Sequence, residues 1–303
     1  MNHPKNYFGL LRLAEPVEEL PYYFGCMFEG FAGYGGIRLA PEVLRERGLL
    51  NSYVRLEPLF PWSDSTGIEA LVLLAKRTKF LVRRLGRRSQ DEVVELRDYS
   101  ETGDDSDFQN ERKSLLDWVR LPWIVLTDLR RVLVYLWFRL VARRRPSIKV
   151  ARLRNFMEME PRAENRVTLS SLVDPDGRAL PHVAHDTSEL DRRSLLELHA
   201  ELERELQRSG LGRLESGLAE EAEWPITQDA SHHMGTTRMG GDASTSVVDP
   251  QLRLHGSPNL YVAGASVFPT SGCANPTFTI CALSIRLAED LRAILGAGQG
   301  ASE

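Results

Sequence analysis

The residue pair Asn275-Pro276 has the types that begin a helix and create a binding site for negative charge. Asn is a favoured N-cap, and Pro is favoured at the first helical position. The N-terminus of a helix presents unpaired N–H groups and about half a positive charge. Such a site suits an anion, a phosphate or an electron-rich ring. The alternative is that the pair only caps a surface helix.

The adjacent histidines His232 and His233 are a second candidate. An imidazole titrates near neutral pH and can act as a base or as a metal ligand. No third ligand stands at a spacing typical of a zinc site, and the three cysteines, Cys26, Cys273 and Cys281, form no CxxC pair. The sequence therefore predicts no metal site and no disulfide framework. Alone, a histidine pair on a loop is more typical of surface or core residues than of a catalytic site.

The pattern along the chain predicts the elements that position these residues. Apolar residues at helical spacing, strand-like alternation and turn residues indicate the following elements. They are a helix over 67–85, a helical region over 115–145 broken or kinked at Pro122, strands over 148–157, 166–170 and 182–185, a helix over 187–207, a buried parallel strand over 260–263, and a helix over 278–295 with Ile280, Leu283, Leu287, Leu291 and Ile294 on one face. The polar stretch 103–110 is typical of a loop or linker.

Composition narrows the possible partners. The 303 residues are 42% hydrophobic and 26% charged, which is typical of a globular protein. The net charge of −4 gives no overall basic field, so no nucleic-acid partner is predicted. The most apolar segment, residues 121–141, is interrupted by four charged residues and is a poor membrane span. Localisation is left open.

In combination, the C-terminal motifs resemble the end of the glucose–methanol–choline (GMC) oxidoreductases, which are FAD-dependent alcohol and sugar oxidases and dehydrogenases. The matching stretches are HxxGTxRMG from His232, Val-Val-Asp at 247–249, Arg-Leu-His-Gly at 253–256, Asn-Leu-Tyr-Val-Ala-Gly-Ala-Ser at 259–266 and Ala-Asn-Pro-Thr at 274–277. The Ala-Gly-Ala-Ser variant is similar to the sugar-dehydrogenase and pyranose-oxidase-like branch. A looser resemblance reaches back to Ile148, and residues 1–5 and 51–55 look like mid-chain segments of the family.

The resemblance implies a catalytic pair. His232 takes the place of the histidine that faces the flavin, and Asn275, 43 residues later, takes the second catalytic position. His232 would remove the hydroxyl proton as general base, Asn275 would donate a hydrogen bond to the same oxygen, and the hydride would go to flavin N5. The residues implied to contact the flavin are Gly264, Ala265, Ser266, Asn275, Pro276 and Thr277, with the helix start stabilising the charge of the reduced ring.

The implied fold is α/β with α+β character in the substrate part. The expected organisation is a partly helical substrate-side region over 1–147, a substrate-binding sheet and helix over 148–225, and the return of the FAD domain over 226–303. The family binds the ADP half of FAD with a GxGxxG strand–helix–strand unit. No such motif is found, so the N-terminal FAD-binding half is expected to be missing from this chain.

Two functions therefore stay open. The first is an FAD-dependent oxidoreductase that oxidises a small alcohol or sugar, with its electron acceptor undetermined. The second is an inactive remnant or interaction subunit that does not bind flavin alone. Residues 70–90 and 129–149 each carry seven basic residues and no acid. They indicate either a solvated helix face or docking on an anionic membrane or an acidic redox partner.

Overall fold

The computed structural model describes residues 1–18, 23, 26–28, 31–33, 35–85, 117–144, 146–220, 228–229 and 232–299. Ser231, the predicted loop over 103–110 and residues 86–90 of the first basic stretch lie outside the described residues. So does Arg145 at the end of the second basic stretch.

The strands are β1 Pro4–Asn6, β2 Leu10–Val17, β3 Cys26–Phe28, β4 Phe31–Gly33, β5 Ile37–Arg38, β6 Tyr53–Leu59, β7 Ile148–Phe156, β8 Val167–Val173, β9 Ala179–Val183, β10 Gly212–Glu215 and β11 Gln228–Asp229. The helices are α1 Pro41–Arg47, α2 Thr66–Leu85, α3 Asp117–Thr127, α4 Leu129–Leu136, α5 Glu189–Ser209 and α6 Thr277–Gln299. A π-helical turn at Trp137–Ala142 continues α4, and a short 3-10 turn spans Ala265–Val267.

A seven-stranded antiparallel sheet is built around β7. One edge of β7 pairs with β6, and the other edge pairs with β1 and β2, which in turn pair with β11 and β10. Two hairpins, β3–β4 and β8–β9, stand apart from this sheet. The sheet thus takes strands from all three regions predicted from the sequence, and the division at residues 147 and 225 stays a prediction.

One face of the sheet packs against α5. Alternation along β6 and β7 turns Val54, Leu56, Ala151 and Leu153 to this side. Helix α5 contributes four leucines at three- and four-residue spacing, namely Leu195, Leu198, Leu202 and Leu206, all of them buried. A capping box at Ser188 begins α5, and Gly210 in the left-handed region ends it. Burial of these side chains is what holds the sheet and helix together.

A second hydrophobic cluster lies under α6. It joins Met234, Val248, Leu252, Val267, Phe268 and Leu287, with Ile280, Leu283 and Leu291 packed beside them. The predicted apolar face of α6 is therefore confirmed at four positions. It is wrong at Ile294, which is 55% exposed near the end of the helix.

Two predictions about the elements need correction. Of the break or kink predicted at Pro122, the break is wrong, because Pro122 lies inside α3; the break falls at Asp128, where φ is −115° and the carboxylate accepts a hydrogen bond from Ser65. Residues 260–263 form no buried parallel strand, because Tyr261 makes only an isolated antiparallel bridge with Arg253 and Leu260 is half-exposed. A parallel strand needs a parallel neighbour, and the described sheets are antiparallel throughout, so this part is α+β. No helix within the described ranges is long and apolar enough to cross a bilayer.

Candidate active site

Three segments distant in sequence meet at His232. The first is the N-terminus, where Met1 and Met234 exchange two backbone hydrogen bonds of 3.1 Å. The second is the segment 232–239, and the third is the segment 264–268. Backbone hydrogen bonds tie these last two segments together, from Gly235 to Ala265 (3.2 Å), Thr237 to Ser266 (2.9 Å) and Met239 to Val267 (2.8 Å). The backbone around His232 is thus held from both sides.

The side chain of His232 contacts His3. Their Nδ1 atoms lie 3.1 Å apart, and the two rings meet edge to face at 5.2 Å between centroids. Asn2 supports both residues, because its Oδ1 accepts hydrogen bonds from the backbone N–H of His3 (2.8 Å) and of His232 (3.2 Å). His3 is 1% exposed, so this contact is formed in the protein interior.

The hydrogen bonds of His3 determine where the proton of His232 lies. Nε2 of His3 is 3.2 Å from the backbone carbonyl of Ser271, which can only accept, so this nitrogen carries a hydrogen. The Nδ1 of a neutral His3 is then an acceptor, and the hydrogen between the two rings belongs to Nδ1 of His232. The lone pair of a neutral His232 is therefore placed on Nε2, as a general base at that atom requires.

The surroundings of His3 favour its neutral form. Burial lowers the pKa of His3 below its ordinary value, and the charge of His232 acts in the same direction. The backbone hydrogen bond to Ser271 opposes the shift but is the smaller effect. Because a cationic His3 would have no lone pair at Nδ1, its neutrality is what maintains the tautomer of His232.

The turn at Ser271-Gly272 is anchored to the chain after β7. The carboxylate of Glu158 accepts hydrogen bonds from the backbone N–H of Gly272 (3.0 Å) and of Asn51 (2.8 Å). The hydroxyl of Ser271 accepts one from the backbone N–H of Met159 (3.2 Å). Gly272 has a φ of +59°, which glycine adopts without strain. The Ser271 carbonyl is consequently fixed where Nε2 of His3 meets it.

Gly264, Ala265 and Ser266 form a bend with an open outer side. Gly264 has φ +118° and ψ −175°, a region that is essentially restricted to glycine. A Cβ added there would meet nothing within 4 Å, so the backbone is open to a ligand. The hydroxyl of Ser266 accepts a hydrogen bond of 2.8 Å from that of Thr237, which ties the bend to the His232 segment.

Asn275 and Thr277 are exposed before and at the start of α6, while Pro276 is buried. The helix begins at Thr277, one residue later than the predicted first helical position, and the N–H of Ile280 already bonds to the carbonyl of Pro276. The described residues give Asn275 no hydrogen bond, and so none to His232. His232 is linked to this part of the chain through His3 and Ser271. The neighbouring His233 is exposed.

The sheet face opposite α5 carries a layer of arginines and aromatic rings. The guanidinium groups of Arg152 and Arg154 lie 5.0 and 5.4 Å from the ring centre of Tyr7, and both approach Glu57 at 3.6 and 3.5 Å. Burial raises the pKa of Glu57 above its ordinary value although neighbouring arginines oppose the shift. The Nε of Arg152 is buried without a hydrogen-bond partner in the described part of the chain. Such a polar face suits a polar ligand.

Sequence reasoning missed Asn2, His3, Glu158 and Ser271 at this site. Nothing in the spacing relates residue 3 to residue 232, because tertiary pairing brings them together, through Met1 with Met234, Asn2 with His232 and β1 with β11. The arginine layer could have been predicted from the sequence, since Arg152 and Arg154 alternate with Ala151, Leu153 and Asn155 along β7 and therefore share one face. In the described residues, no cluster of three His, Cys, Asp or Glu side chains could hold a metal ion.

Comparison with known families matches residues 161–284 to the GMC oxidoreductase family model. These residues, which include His232, Gly264 and Asn275, match a family model of the GMC oxidoreductases. The chain is therefore similar to GMC oxidoreductases over this range. The resemblance inferred from the motifs is confirmed over this range.

Individual GMC relatives match shorter parts of the chain. Paromamine 6'-oxidase of Streptomyces fradiae is 35% identical over 148 residues, which are 49% of this chain and 26% of that protein. Pyranose 2-oxidase of Tricholoma matsutake is 42% identical over 67 residues, 22% of this chain and 12% of that protein. A crystal structure of pyridoxine 4-oxidase from Mesorbium loti aligns with a TM-score of 0.35 and 22% identity over 49% of this chain and 31% of that one. The chain spans about a quarter of the length of the first relative.

Proposed function

We propose that the protein is an FAD-dependent oxidoreductase that acts on the CH–OH group of an alcohol or sugar. His232 is the general base and Asn275 donates a hydrogen bond to the substrate oxygen. The observation that carries this proposal is the hydrogen-bond chain from Ser271 through His3, which places the lone pair of His232 on Nε2. The names of the relatives, a paromamine oxidase and a pyranose oxidase, support a sugar or related polyol as substrate.

The residues present fit the ring end of a flavin. Gly264 leaves its backbone open, and the first N–H groups of α6 have no partner within the helix. Gly264, Ala265 and Ser266 would hold one side of the ring system, and Asn275, Pro276 and Thr277 would direct the positive end of α6 toward its electron-rich carbonyl side. When bound, the flavin would supply the acceptor for the hydride that leaves the alcohol carbon.

The chain itself supplies the proton chemistry. Nε2 of His232 takes the hydroxyl proton, and the resulting imidazolium keeps its Nδ1–H on His3. The amide of Asn275 donates to the oxygen as negative charge develops there. Since His3 is buried and has a lowered pKa, it does not compete with His232 for the proton.

We propose that the sheet with the arginine layer is the substrate side and that the ADP half of FAD is held by a nucleotide-binding unit other than these residues. Arg152 and Glu57 both present hydrogen-bonding groups on this face of the sheet. Such groups suit a substrate that is rich in hydroxyls.

Flavin binding tests this proposal without a known substrate. We would titrate the 303-residue chain with riboflavin, which has the ring without the ADP half, and with FAD, while recording visible absorbance and flavin fluorescence. We expect both compounds to bind with a perturbed spectrum, and Gly264→Leu to weaken binding while Gly241→Leu does not, because the backbone of Gly264 lines the proposed ring site. If neither compound perturbs the spectrum at saturating concentrations, this chain has no ring site and the reading as a remnant or interaction subunit gains support.

A further inference from the structure

Exposed apolar side chains recur along α3, α4 and the π-helical turn, on both sides of the break at Asp128. Six of them, called here the apolar stripe, are 50–74% exposed, and they are Val119, Trp123, Leu126, Leu133, Trp137 and Leu140. They follow one another at intervals of four, three, seven, four and three residues, and Arg130 lies between the first three and the last three. Exposed apolar side chains concentrated in this way mark an interaction surface.

The opposite side of the same helices packs against the rest of the protein, which fixes the direction of the apolar stripe. Leu121 and Val132 are 3% and 2% exposed. A Cβ on Gly67 of α2 would come within 2.7 Å of Asp128, so the helices cross closely there. The ring of Trp62 packs against Tyr135 and Phe138 at 5.6 and 5.4 Å. The stripe is therefore held pointing away from the protein.

The surface around the apolar stripe is strongly basic. Between residues 118 and 144 the sole acidic residue is Asp128, whose side chain is only 19% exposed and lies against Ser65 and Arg131. Six exposed arginines flank the stripe or lie at its end, and they are Arg120, Arg130, Arg131, Arg139, Arg143 and Arg144. Positive charge beside exposed tryptophan and leucine is the composition of helices that lie in a membrane interface.

We propose that the apolar stripe and its arginines dock the protein on the surface of an anionic lipid bilayer, with the helices lying in the plane of the interface. Tryptophan favours the headgroup region, where the ring is buried and its N–H stays hydrated. Arginine pairs with lipid phosphate in a bidentate way. A shallow, open apolar depression of about 600 Å³ lies beside Leu133, Trp137 and Phe138.

The positive charge beside the apolar stripe favours an anionic bilayer over a second copy of the chain as the partner. In the described part of the chain, the acidic residues beside these arginines are Asp128 and Glu18, and they already contact Arg131 and Arg144. Pairing two stripes would therefore bring two sets of arginines together, which is unfavourable. Anionic headgroups instead neutralise them. The sequence between the two sets of apolar residues also has Arg130 where a helix–helix seam would place an apolar residue.

Vesicle sedimentation tests the proposal. The full chain would be mixed with vesicles of phosphatidylcholine alone and of phosphatidylcholine with about one-third phosphatidylglycerol. We expect binding to the anionic vesicles, weak binding to the neutral ones, and loss of binding as salt rises. The double variant Trp123→Ser/Trp137→Ser should bind at least about tenfold more weakly, and Arg130→Gln about fivefold more weakly.

The matched control is Leu169→Ser/Leu172→Ser, which removes from β8 two apolar side chains that are at least as exposed as the two tryptophans. It should bind anionic vesicles as the wild type does, and all variants should keep the wild-type circular dichroism and melting temperature. The proposal is overturned if the wild type does not bind anionic vesicles, or if the tryptophan variant binds them equally well. A stripe-dependent dimer in sedimentation velocity, or binding to polyglutamate without vesicle binding, would assign the surface to a second copy or to an acidic polypeptide instead.

Discussion

At the scale of single residues, the site depends on which nitrogen of each histidine carries a proton. The sequence motif identifies His232, but its tautomer follows from His3 and Ser271, which lie 229 and 39 residues away along the chain. Residue types and local spacing could therefore predict the candidate base. They could not predict its partners, because tertiary pairing of the N-terminus with residues 232–234 brings these together.

The tautomer of His232 is a direct prediction. In protein with ¹⁵N-labelled histidine at about pH 8, where a neutral ring dominates, ring-nitrogen chemical shifts should show the hydrogen of His232 on Nδ1. His3→Leu removes the acceptor and should populate the Nε2–H form. His3→Asn keeps an oxygen near the Nδ1 position and should restore the Nδ1–H form.

His199 is the internal reference for that experiment. Its Nε2 lies 2.8 Å from Oδ1 of Asn155, whose amide nitrogen already donates to the carbonyl of Phe8, and its Nδ1 lies 2.7 Å from the Ser216 hydroxyl. His199 must therefore carry its hydrogen on Nε2, opposite to His232. Finding His232 as the Nε2–H tautomer, like His199, would contradict the hydrogen-bond chain. Because this result does not depend on the activity of the protein, the experiment tests the positioning of the base separately from the proposed reaction.

His199 also predicts how stability depends on pH. Burial lowers its pKa from 6.5 to about 4 in the folded protein. The folded state then binds fewer protons than the unfolded state, so this contribution to stability is complete above pH 6.5 and is lost as pH falls toward 4. The loss amounts to about 3 kcal/mol. His199→Gln should reduce the fall in unfolding free energy between pH 7 and 4 by about that amount, as measured by denaturant titration.

The control for this variant is His182→Gln, because His182 is exposed on β9. It should leave the pH dependence as in the wild type. Identical pH profiles for His199→Gln and the wild type would show that the buried imidazole is not what makes the protein acid-sensitive.

At the scale of elements, those with strong local patterns are predictable and those defined by long-range pairing are not. Helices α2, α5 and α6 and strand β7 follow from apolar spacing and caps. Strands β1, β2 and β6 went unrecognised, since their hydrogen bonds go to β7, more than 90 residues away in sequence. The predicted strand at 260–263 failed for the same reason, because a short apolar run does not define its partner.

The bend before the 3-10 turn gives a prediction at this scale. Gly264→Ala should lower stability by about 1–3 kcal/mol, because φ +118° with ψ −175° is essentially open only to glycine. The control Gly241→Ala has no positive φ and no neighbour within 4 Å of its new Cβ, so it should be close to neutral. Equal melting temperatures for the two variants would show that the bend tolerates a side chain by shifting its backbone.

At the scale of the whole molecule, one antiparallel sheet connects the two hydrophobic clusters to the site. The strand β7 holds β1 on its edge and continues into Glu158 and Met159, which fix the Ser271 turn. Met234 and Met239 of the segment 232–239, and Ala265 and Val267 after Gly264, belong to or pack against the second cluster. The range 161–284, which matches the GMC family model, thus contains the proposed base and Ser271, while His3 and Asn2 outside that range contact the base directly.

The most direct test of the proposed function is a single turnover of the FAD-loaded protein without oxygen. An alcohol or sugar that reduces the flavin should bleach its visible absorbance in the wild type and in His233→Gln, whose altered side chain is exposed. In His232→Gln the same reduction should be slower by about 10²–10⁴-fold at unchanged flavin content, since the general base is lost. Reduction of His232→Gln at the wild-type rate would contradict the assignment of His232 as the base.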